Sequence, residues 1–342
     1  MRIRRSLPIL LIVLLVVAAL TLIVQLRKHA PPEAARLLPG ADGFVYINLQ
    51  WMRRANVAGN LPSVPHDPEY EDFIQATGFQ FERDLDEAAF AIHYPTAGSK
   101  AKEIAADQTR FSEVLVGKVQ GEKLAAYLRK ISSSVDNFRS VDIFNIPIEG
   151  RTLRVAILGV DTVAASNNND PTVIRGIIER SRKLASPFGG PSFLRQYYKE
   201  VPFASLGWAI FHAQPSSNGT QGSLDVSVLL DKPAVIVASI RYLGSVHFKA
   251  EAFTDSAEDA RRVSDRLGAF LNIFRTAEVT VSTPGPDVDL KSFFDSLKVS
   301  QNGDRAQVTA NVPVDLIKKI VAESPSQFVN PPSDRAPADV HK

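Results

Sequence analysis

The pattern of hydrophobic and polar positions begins with one apolar stretch, which runs from Leu7 to Leu26. It contains no charged residue, and only Pro8, Thr21 and Gln25 interrupt the apolar side chains. A helix of this length spans about 30 Å, which is the thickness of the hydrocarbon core of a bilayer. Since a helix also satisfies its own backbone hydrogen bonds in lipid, the stretch predicts a transmembrane anchor.

Two other interpretations of this stretch are disfavoured. A cleaved signal peptide usually has an apolar run of about 7–15 residues, followed by a small-x-small cleavage site. Here the run is longer, and residues 25–29 (QLRKH) offer no such site. A buried core helix is disfavoured because the stretch lies near the beginning of the chain between basic residues. Residues 1–28 are therefore predicted to form a cytoplasmic tip and an uncleaved anchor.

The flanking charges predict the orientation of this anchor. Arg2, Arg4 and Arg5 precede the apolar stretch, whereas Arg27 and Lys28 follow it. The excess on the N-terminal side favours a cytoplasmic N-terminus. We therefore expect a single-pass protein of the inner (cytoplasmic) membrane, with its body in the periplasm or otherwise outside the cytoplasm.

Beyond the anchor, strand and helix patterns alternate along the chain. Residues 112–184 read as strand, helix, strand, strand and helix, and residues 245–322 repeat that order. The fold class predicted is α+β, with two related units that each pack an antiparallel sheet on helices. Coincidence in an α+β chain is the alternative, because the repeat is one of element order and not of residue identity.

Local signals within this pattern mark particular elements. Apolar residues at helical spacing predict a helix over 121–133, and Asp255-Ser256 caps a second helix over 257–274. Asn302-Gly303 predicts a hairpin turn. The predicted boundaries are a linker at 29–36, a first α+β unit at 37–186, a connection at 187–202, a second unit at 203–323 and a disordered tail at 324–342.

Charge and composition exclude several classes of function. The chain carries a formal net charge of +2, but five of its 39 basic residues and none of its 37 acidic residues lie in residues 1–28. The remaining 34 basic residues leave the body at about −3, which argues against a nucleic-acid-binding body. The absence of cysteine excludes disulfides, thiolate metal ligands and a thiol nucleophile.

Motifs for common reactions are also absent from the sequence. It contains no GxGxxG, no GxxxxGK[ST], no GxSxG and no HExxH. His93, His212 and His247 fall in predicted strands, where sheet pairing could bring three imidazoles around a zinc ion. A histidine in a strand is more often a partly exposed sheet residue, so we predict no metal site and no cofactor.

Three polar groups have the spacing of candidate sites. Asp84/Asp86 and Asp287/Asp289 have i,i+2 spacing, which places both carboxylates on one side of an extended segment. Both pairs adjoin predicted helices or turns, where aspartate is favoured for capping. Residues 167–170 (NNND) could offer oxygen ligands to a cation but lack the spacing of an EF-hand loop, so a polar turn with a helix cap is favoured.

A short segment after the first predicted strand suggests contact with the membrane. Trp51, Arg53 and Arg54 lie close in sequence to the anchor. Tryptophan suits the depth of lipid headgroups, and arginine is attracted to anionic lipid. Packing of Trp51 in the core is the alternative.

Three segments together resemble a known family. Residues 38–49 (LPGADGFVYINL), placed shortly after an anchor, resemble the opening of uncharacterised bacterial envelope proteins in a domain-of-unknown-function family. Residues 160–166 (VDTVAAS) and 256–260 (SAEDA) are similar to that family's steps from strand to helix and into a long helix. The resemblance implies a single-pass envelope protein with an N-terminal signal anchor, and it supplies no catalytic residues.

These observations favour a membrane-anchored, extracytoplasmic protein that binds or scaffolds other components of the bacterial cell envelope and is not an enzyme. Its expected partners are the bilayer, through residues 7–26, and envelope proteins, with no nucleic acid. A binding module for lipid or another apolar ligand is the first alternative, motivated by apolar strands such as 234–240. A hydrolase built from strand-borne histidines and aspartates is the second.

Overall fold

The structure is a computed structural model that describes residues 30–54, 66–94, 110–148, 150–182, 189–215, 229–281 and 288–316. The predicted anchor at 7–26 and the predicted tail at 324–342 lie outside these residues. In the part described, the chain is α+β, which confirms that part of the prediction, and its strands join in one antiparallel sheet.

The sheet has twelve strands within the described residues. They are β1 (Gly43–Asn48), β2 (Leu85–His93), β3 (Arg110–Gly117), β4 (Ser134–Phe138), β5 (Val141–Ile148), β6 (Arg151–Ile157), β7 (Thr162–Ser166), β8 (Gly207–Ala213), β9 (Ala234–Tyr242), β10 (Val246–Phe253), β11 (Lys298–Asn302) and β12 (Arg305–Val312).

The helices carry local signals that explain where they begin and end. The Asp67 carboxylate accepts a hydrogen bond from the Tyr70 backbone, and Gly78 in the left-handed conformation closes the same helix. The described helices are α1 (Glu33–Leu37), α2 (Leu49–Arg54), α3 (Pro68–Thr77), α4 (Phe81–Asp84), α5 (Gly121–Ile131), α6 (Thr172–Arg182), α7 (Ser192–Tyr198), α8 (Ala257–Val281) and α9 (Val288–Ser296).

The strand order is β11-β12-β10-β9-β8-β1-β2-β3-β7-β6-β5-β4. From the central β1–β8 pair, the chain follows a similar path on both sides. On one side, β1 to β3 run outwards from the centre, and after a helical segment β4 starts at the far edge and β5 to β7 return towards β3. On the other side, β8 to β10 run outwards, and after a helical segment β11 starts at the far edge and β12 returns to β10. The pair that closes each path is β3–β7 on one side and β10–β12 on the other. The two sides therefore follow similar paths, with two more strands on the first side, where four strands and not the predicted two lie between α5 and α6.

The two sides share one sheet, because β1 pairs with β8 in antiparallel register from Gly43–Phe211 to Ile47–Gly207. We predicted a sheet in each unit, so this sharing is a difference from the expectation. It arises from a pairing between segments far apart in sequence, which local patterns do not encode.

Helices cover the sheet unequally. One face carries α1, α6 and α7, whose residues Ile174, Ile177 and Leu194 are fully buried with Phe44 and Ile210. On the opposite face, α5 packs on β5 and β6, whereas α8 and α9 pack on β11 and β12. On that same face α2 also contacts β2, and Phe73 of α3 packs in one cluster with Phe90 and Leu115 of the central strands. The central strands therefore have one sealed face and one face that helices cover only in part.

Candidate functional site

The central strands expose their two faces very differently. Side chains alternate between faces along a strand, so the exposure of two neighbouring residues shows how well each face is covered. Phe44, Val114 and Ile210 on the sealed face have no exposed surface. On the other face Val45 and Ala209 are only half-buried, and Ile240 is 41% exposed. An apolar surface in the middle of the sheet is therefore accessible.

This accessible surface lies between α5 on one flank and α8 on the other, with α2 to α4 packed over the start of β2 and the end of β3. On one flank Leu124 and Leu128 of α5 pack over β5 to β7, and on the other Val263 of α8 packs near β9 and β10. Strands lie about 4.8 Å apart, so the five spacings from β7 to β9 measure about 24 Å. We call the surface the open trough and define it by residues Val45, Ile92, Glu113, Ala209, Ala238 and Ile240.

One row of side chains crosses the whole sheet through the open trough. From β4 to β11 the paired residues are Val135, Phe144, Val155, Ala165, Glu113, Phe90, Val45, Ala209, Ala238, Ala250, Val308 and Val299. Glu113 is the one charged residue in this row of twelve. A carboxyl group thus sits near the middle of an otherwise apolar surface.

The nearest neighbours of Glu113 on its own strand and on the two paired strands are apolar. Phe111 and Leu115 flank it on the same face of β3, and Phe90 and Ala165 are its partners on the neighbouring strands. Burial raises the pKa of the Glu113 carboxyl. Apolar neighbours disfavour the charged form because they replace water without offering hydrogen bonds.

Glu113 also differs from the other buried acidic groups of the structure. The carboxylates of Asp84, Glu251 and Asp259 pair with Arg83, Lys249 and Lys232, respectively. For the Glu113 carboxyl, the described residues supply neither a hydrogen bond nor an ion pair. A polar group buried without a partner costs about 1–3 kcal/mol, which a ligand with a cationic or donor group can recover.

The three histidines of the zinc hypothesis do not converge. His93 and His212 both lie beside Asp42, one on each side of the first residues of β1, so two strand spacings separate them by about 10 Å. His247 is at the other end of β10, and Phe253 occupies the position level with His212. Across the described ranges, no cluster of three or more potential ligands could hold a metal ion.

The two nearer histidines have local environments that explain them. The His212 ring stacks on Phe193 with 4.0 Å between centroids. Burial lowers the pKa of His93, and its buried Nε2 atom has no hydrogen-bond partner within the described ranges. Both features belong to side chains at the margin of a packed core.

The carboxylates Asp84 and Asp86 have separate structural partners. Asp84 accepts a hydrogen bond from the Gln80 backbone at 3.0 Å and pairs with Arg83. The Arg83 side chain lowers the pKa of Asp84. Asp86 instead pairs with Arg53 at 2.6 Å. The structure therefore places the two carboxylates in two different contacts and not in one acid–base pair.

The remaining polar candidates also have structural contacts. Asn167 Oδ1 accepts a hydrogen bond from the backbone of β3 at 2.7 Å. Asp170 accepts hydrogen bonds from the Thr172 backbone and hydroxyl, which lower its pKa and cap the start of α6. Asp287 lies outside the described residues, whereas Asp289 is in the first turn of α9.

The segment predicted to meet the membrane divides into two parts. Trp51 is 55% exposed and Arg54 is exposed, so both are accessible at the surface. Arg53 instead contacts the protein, because its guanidinium donates to the Leu85 carbonyl and to Asp86, both at 2.6 Å. Of the helices in the described ranges, none is both long enough and apolar enough to span a bilayer.

Sequence reasoning missed Glu113. The strand that contains it was predicted, but a lone glutamate in an alternating strand ordinarily indicates a solvent-facing side. Only the identities of its cross-strand partners, which depend on distant segments, show that this side is apolar.

No family model and no curated protein matches the chain, which agrees with its resemblance to an uncharacterised family. Among solved structures, those of TP0453 in crystal forms III, I and IV give TM-scores of 0.46, 0.44 and 0.40 at 8%, 9% and 8% sequence identity. The matches cover 85%, 86% and 86% of this chain and 98%, 97% and 98% of those chains. Likeness at this level carries no argument about function.

Proposed function

We propose that this protein is a membrane-anchored, non-catalytic component of the bacterial cell envelope, which binds another envelope protein through the open trough. The observation that carries the proposal is Glu113, whose carboxyl has no partner among the described residues and is the one charged group in its row of twelve. In this proposal residues 7–26 span the inner membrane, the N-terminus is cytoplasmic, and the body with its two related halves is extracytoplasmic.

The dimensions of the open trough favour a protein segment as its occupant. A helix with its side chains is about 10–12 Å wide, which is less than the width of about 24 Å from β7 to β9. The half-buried floor residues leave a broad surface, whereas small-molecule sites usually enclose most of their ligand. An amphipathic helix can place its apolar stripe on such a surface.

The charge of Glu113 adds specificity to this proposal. A lysine or arginine on the apolar stripe of the partner helix would pair with the carboxyl in a desolvated setting. Such charge-assisted hydrogen bonds are stronger than neutral ones. The partner expected is therefore a helix with one basic residue within an apolar face.

A binding function also fits the chemistry of the row better than catalysis does. General acid–base or nucleophilic reactions need a second group within hydrogen-bond reach of the first. The cross-strand partners of Glu113 are Phe90 and Ala165, which supply neither a base nor an acid. Its raised pKa is explained by burial alone.

Photo-crosslinking of the full chain in intact cells tests the proposal. A photoreactive phenylalanine derivative replaces Ala238 in the open trough or, as a control, Ile148, which is 45% exposed near the β5–β6 turn. We expect a protein adduct of discrete mass from position 238, absent at 148. The adduct should be lost in Glu113→Arg and retained in Glu87→Gln, whose carboxyl is also partly buried but belongs to the sealed face. Absence of any protein adduct from position 238 contradicts the proposal.

A lipid or another apolar ligand is the second candidate occupant, favoured by the apolar floor that Ala238 and Ile240 contribute. Mass spectrometry of the crosslinked product distinguishes the two candidates, since a lipid adduct adds less than about 2 kDa to the chain. The orientation has its own test. Protease added to intact spheroplasts should digest the body, and a protected body contradicts its extracytoplasmic placement.

A further inference from the structure

The most exposed apolar side chains of the described residues gather at one end of the sheet. Four large apolar side chains are more than half exposed: Val160 at 88%, Phe203 at 70%, Leu243 at 65% and Trp51 at 55%. We call them the apolar end. The next most exposed, Ile148 at 45%, lies elsewhere.

Strand directions show that these four residues share one end. Trp51 is in α2, which follows the last residue of β1, and Phe203 is in the turn that leads into β8. Val160 is in the β6–β7 turn, and Leu243 is in the β9–β10 turn. In the antiparallel register, the end of β1 lies beside the start of β8, and the start of β8 lies beside the end of β9. Likewise, the end of β3 lies beside the start of β7. The four tips therefore lie along one edge, across strands that span about 24 Å.

The chain enters the body at this same end. Burial raises the pKa of Glu87, and the nearby carboxylates of Asp86, Glu33 and Asp161 raise it further. Glu87 pairs with Asn48 at the end of β1, and Asp161 is next to Val160. Glu33, the first residue of α1, is therefore beside the apolar end.

Chain length then restricts where the membrane can be. Six residues, 27–32, separate the predicted anchor from Glu33. An extended chain covers at most about 3.6 Å per residue, so the seven steps from Leu26 place Glu33 within about 25 Å of the predicted membrane span. An anchor so close to Glu33 brings the apolar end, and no other end of the sheet, near the lipid headgroups.

We infer that the apolar end rests in the interface of the bilayer, with Val160, Trp51, Phe203 and Leu243 inserted among the lipid headgroups. Tryptophan is favoured at this depth, and apolar tips gain free energy when they leave water. Exposed Arg54 beside Trp51 and exposed Lys118 after β3 supply positive charge toward anionic lipid. The acidic neighbours at this end are Glu33, Asp161 and Asp86, and Asp86 pairs with Arg53. The inference rests on the anchor of the proposed function, but it does not depend on the open trough.

Because the chain has no cysteine, a single introduced cysteine can be labelled at one chosen position, and the depth of that label in the bilayer can be measured. Single cysteines are introduced in the full chain by Val160→Cys, Phe203→Cys and Leu243→Cys, labelled with a nitroxide, and reconstituted in vesicles of phosphatidylethanolamine and phosphatidylglycerol. Ile148→Cys and Tyr94→Cys, which are 45% and 41% exposed at the other end, are the matched controls. All five side chains are exposed, so their replacement leaves the core intact.

At the three tips we expect collision with oxygen, which concentrates in lipid, to exceed collision with a water-soluble nickel complex several-fold. At the two control positions we expect the reverse ratio. Tips as accessible to the nickel complex as the controls would overturn the inference, and so would a full chain that fails to float with the vesicles. A failure at the tips leaves the crosslink at position 238 unaffected, so it contradicts only the inference. A chain that does not float contradicts the anchor, which both proposals share.

Discussion

Glu113 of β3 pairs directly with Phe90 of β2, and the row that they share continues through Val45 and Ala209 without another charge. Ser112, the preceding residue, faces the sealed side and meets the Ser166 hydroxyl at 2.9 Å. Of these two adjacent residues, Ser112 is hydrogen-bonded within the core. Glu113 lies on an accessible apolar surface, where the part of the chain that the structure describes gives its carboxyl no partner.

Replacement of Glu113 by glutamine should stabilise the free protein. Because burial raises its pKa, the folded state binds a proton more tightly than the unfolded state. Stability is therefore lost as pH rises from the ordinary glutamate range through the folded pKa. Glu113→Gln should remove that loss and raise the free energy of unfolding at pH 7 by about 1 kcal/mol.

Urea unfolding of the full chain in detergent at several pH values measures this effect. Glu122→Gln is the control, since Glu122 is exposed in the first turn of α5, where removal of a negative charge slightly weakens the helix. A loss of stability in Glu113→Gln at pH 7 would show that the carboxyl has a stabilising partner.

The difference between the two sheet faces predicts unequal costs for the same substitution. Ile210→Ala removes a side chain with no exposed surface and should cost about 2–5 kcal/mol. Ile240→Ala, on the neighbouring strand but 41% exposed in the open trough, should cost less than about 1 kcal/mol. The urea midpoints of the two variants give the comparison, and equal costs would mean that the trough is filled in the free protein.

Two glycines should respond in opposite directions to alanine. A Cβ atom at Gly117 would lie 2.4 Å from the backbone oxygen of Asp84, so the Gly117→Ala variant requires the backbone to shift. We expect it to lose about 1–3 kcal/mol of stability. Gly121, the first residue of α5, has open space around it, and Gly121→Ala should gain about 0.5–1 kcal/mol. Thermal unfolding of both variants tests the contrast, and a neutral Gly117→Ala would refute it.

The contact of Arg53 with β2 predicts a measurable coupling to Asp86. Arg53→Ala should cost about 1–2 kcal/mol, because the Leu85 carbonyl and the Asp86 carboxylate both lose a donor. In a double-mutant cycle with Asp86→Ala, the pair itself should contribute about 0.5–1 kcal/mol. The neighbouring Arg54→Ala is the control and should be nearly neutral. A coupling energy of zero would mean that Arg53 stabilises the protein only through its hydrogen bond to the Leu85 carbonyl and not through Asp86.

Local patterns predicted the elements of this fold better than their assembly. The helix predicted over 121–133 is observed as α5, and the Asn302-Gly303 signal lies in the turn between β11 and β12. Both depend on periodicity or turn chemistry within a few residues. The helix predicted from Ala257 extends beyond residue 274, to Val281.

The elements that escaped prediction lack such local signals. β4 is an edge strand of mostly exposed residues, SVDNF, whose strand conformation depends on pairing with β5. The β1–β8 pairing depends on segments far apart in sequence. The candidate site has the same origin, because Glu113 acquires its apolar surroundings only when β2, β3 and β7 align.

The central β1–β8 pair has a consequence for biosynthesis. Until β8 leaves the ribosome, the nascent first half presents β1 as a free edge with unsatisfied backbone donors and acceptors. Such an edge can recruit the β8 of another copy, which is the geometry of domain swapping. Anchoring of the chain to a membrane at residues 7–26 would hold copies in one plane. Folding of this protein is therefore expected to benefit from a chaperone that shields β1 until its own β8 arrives.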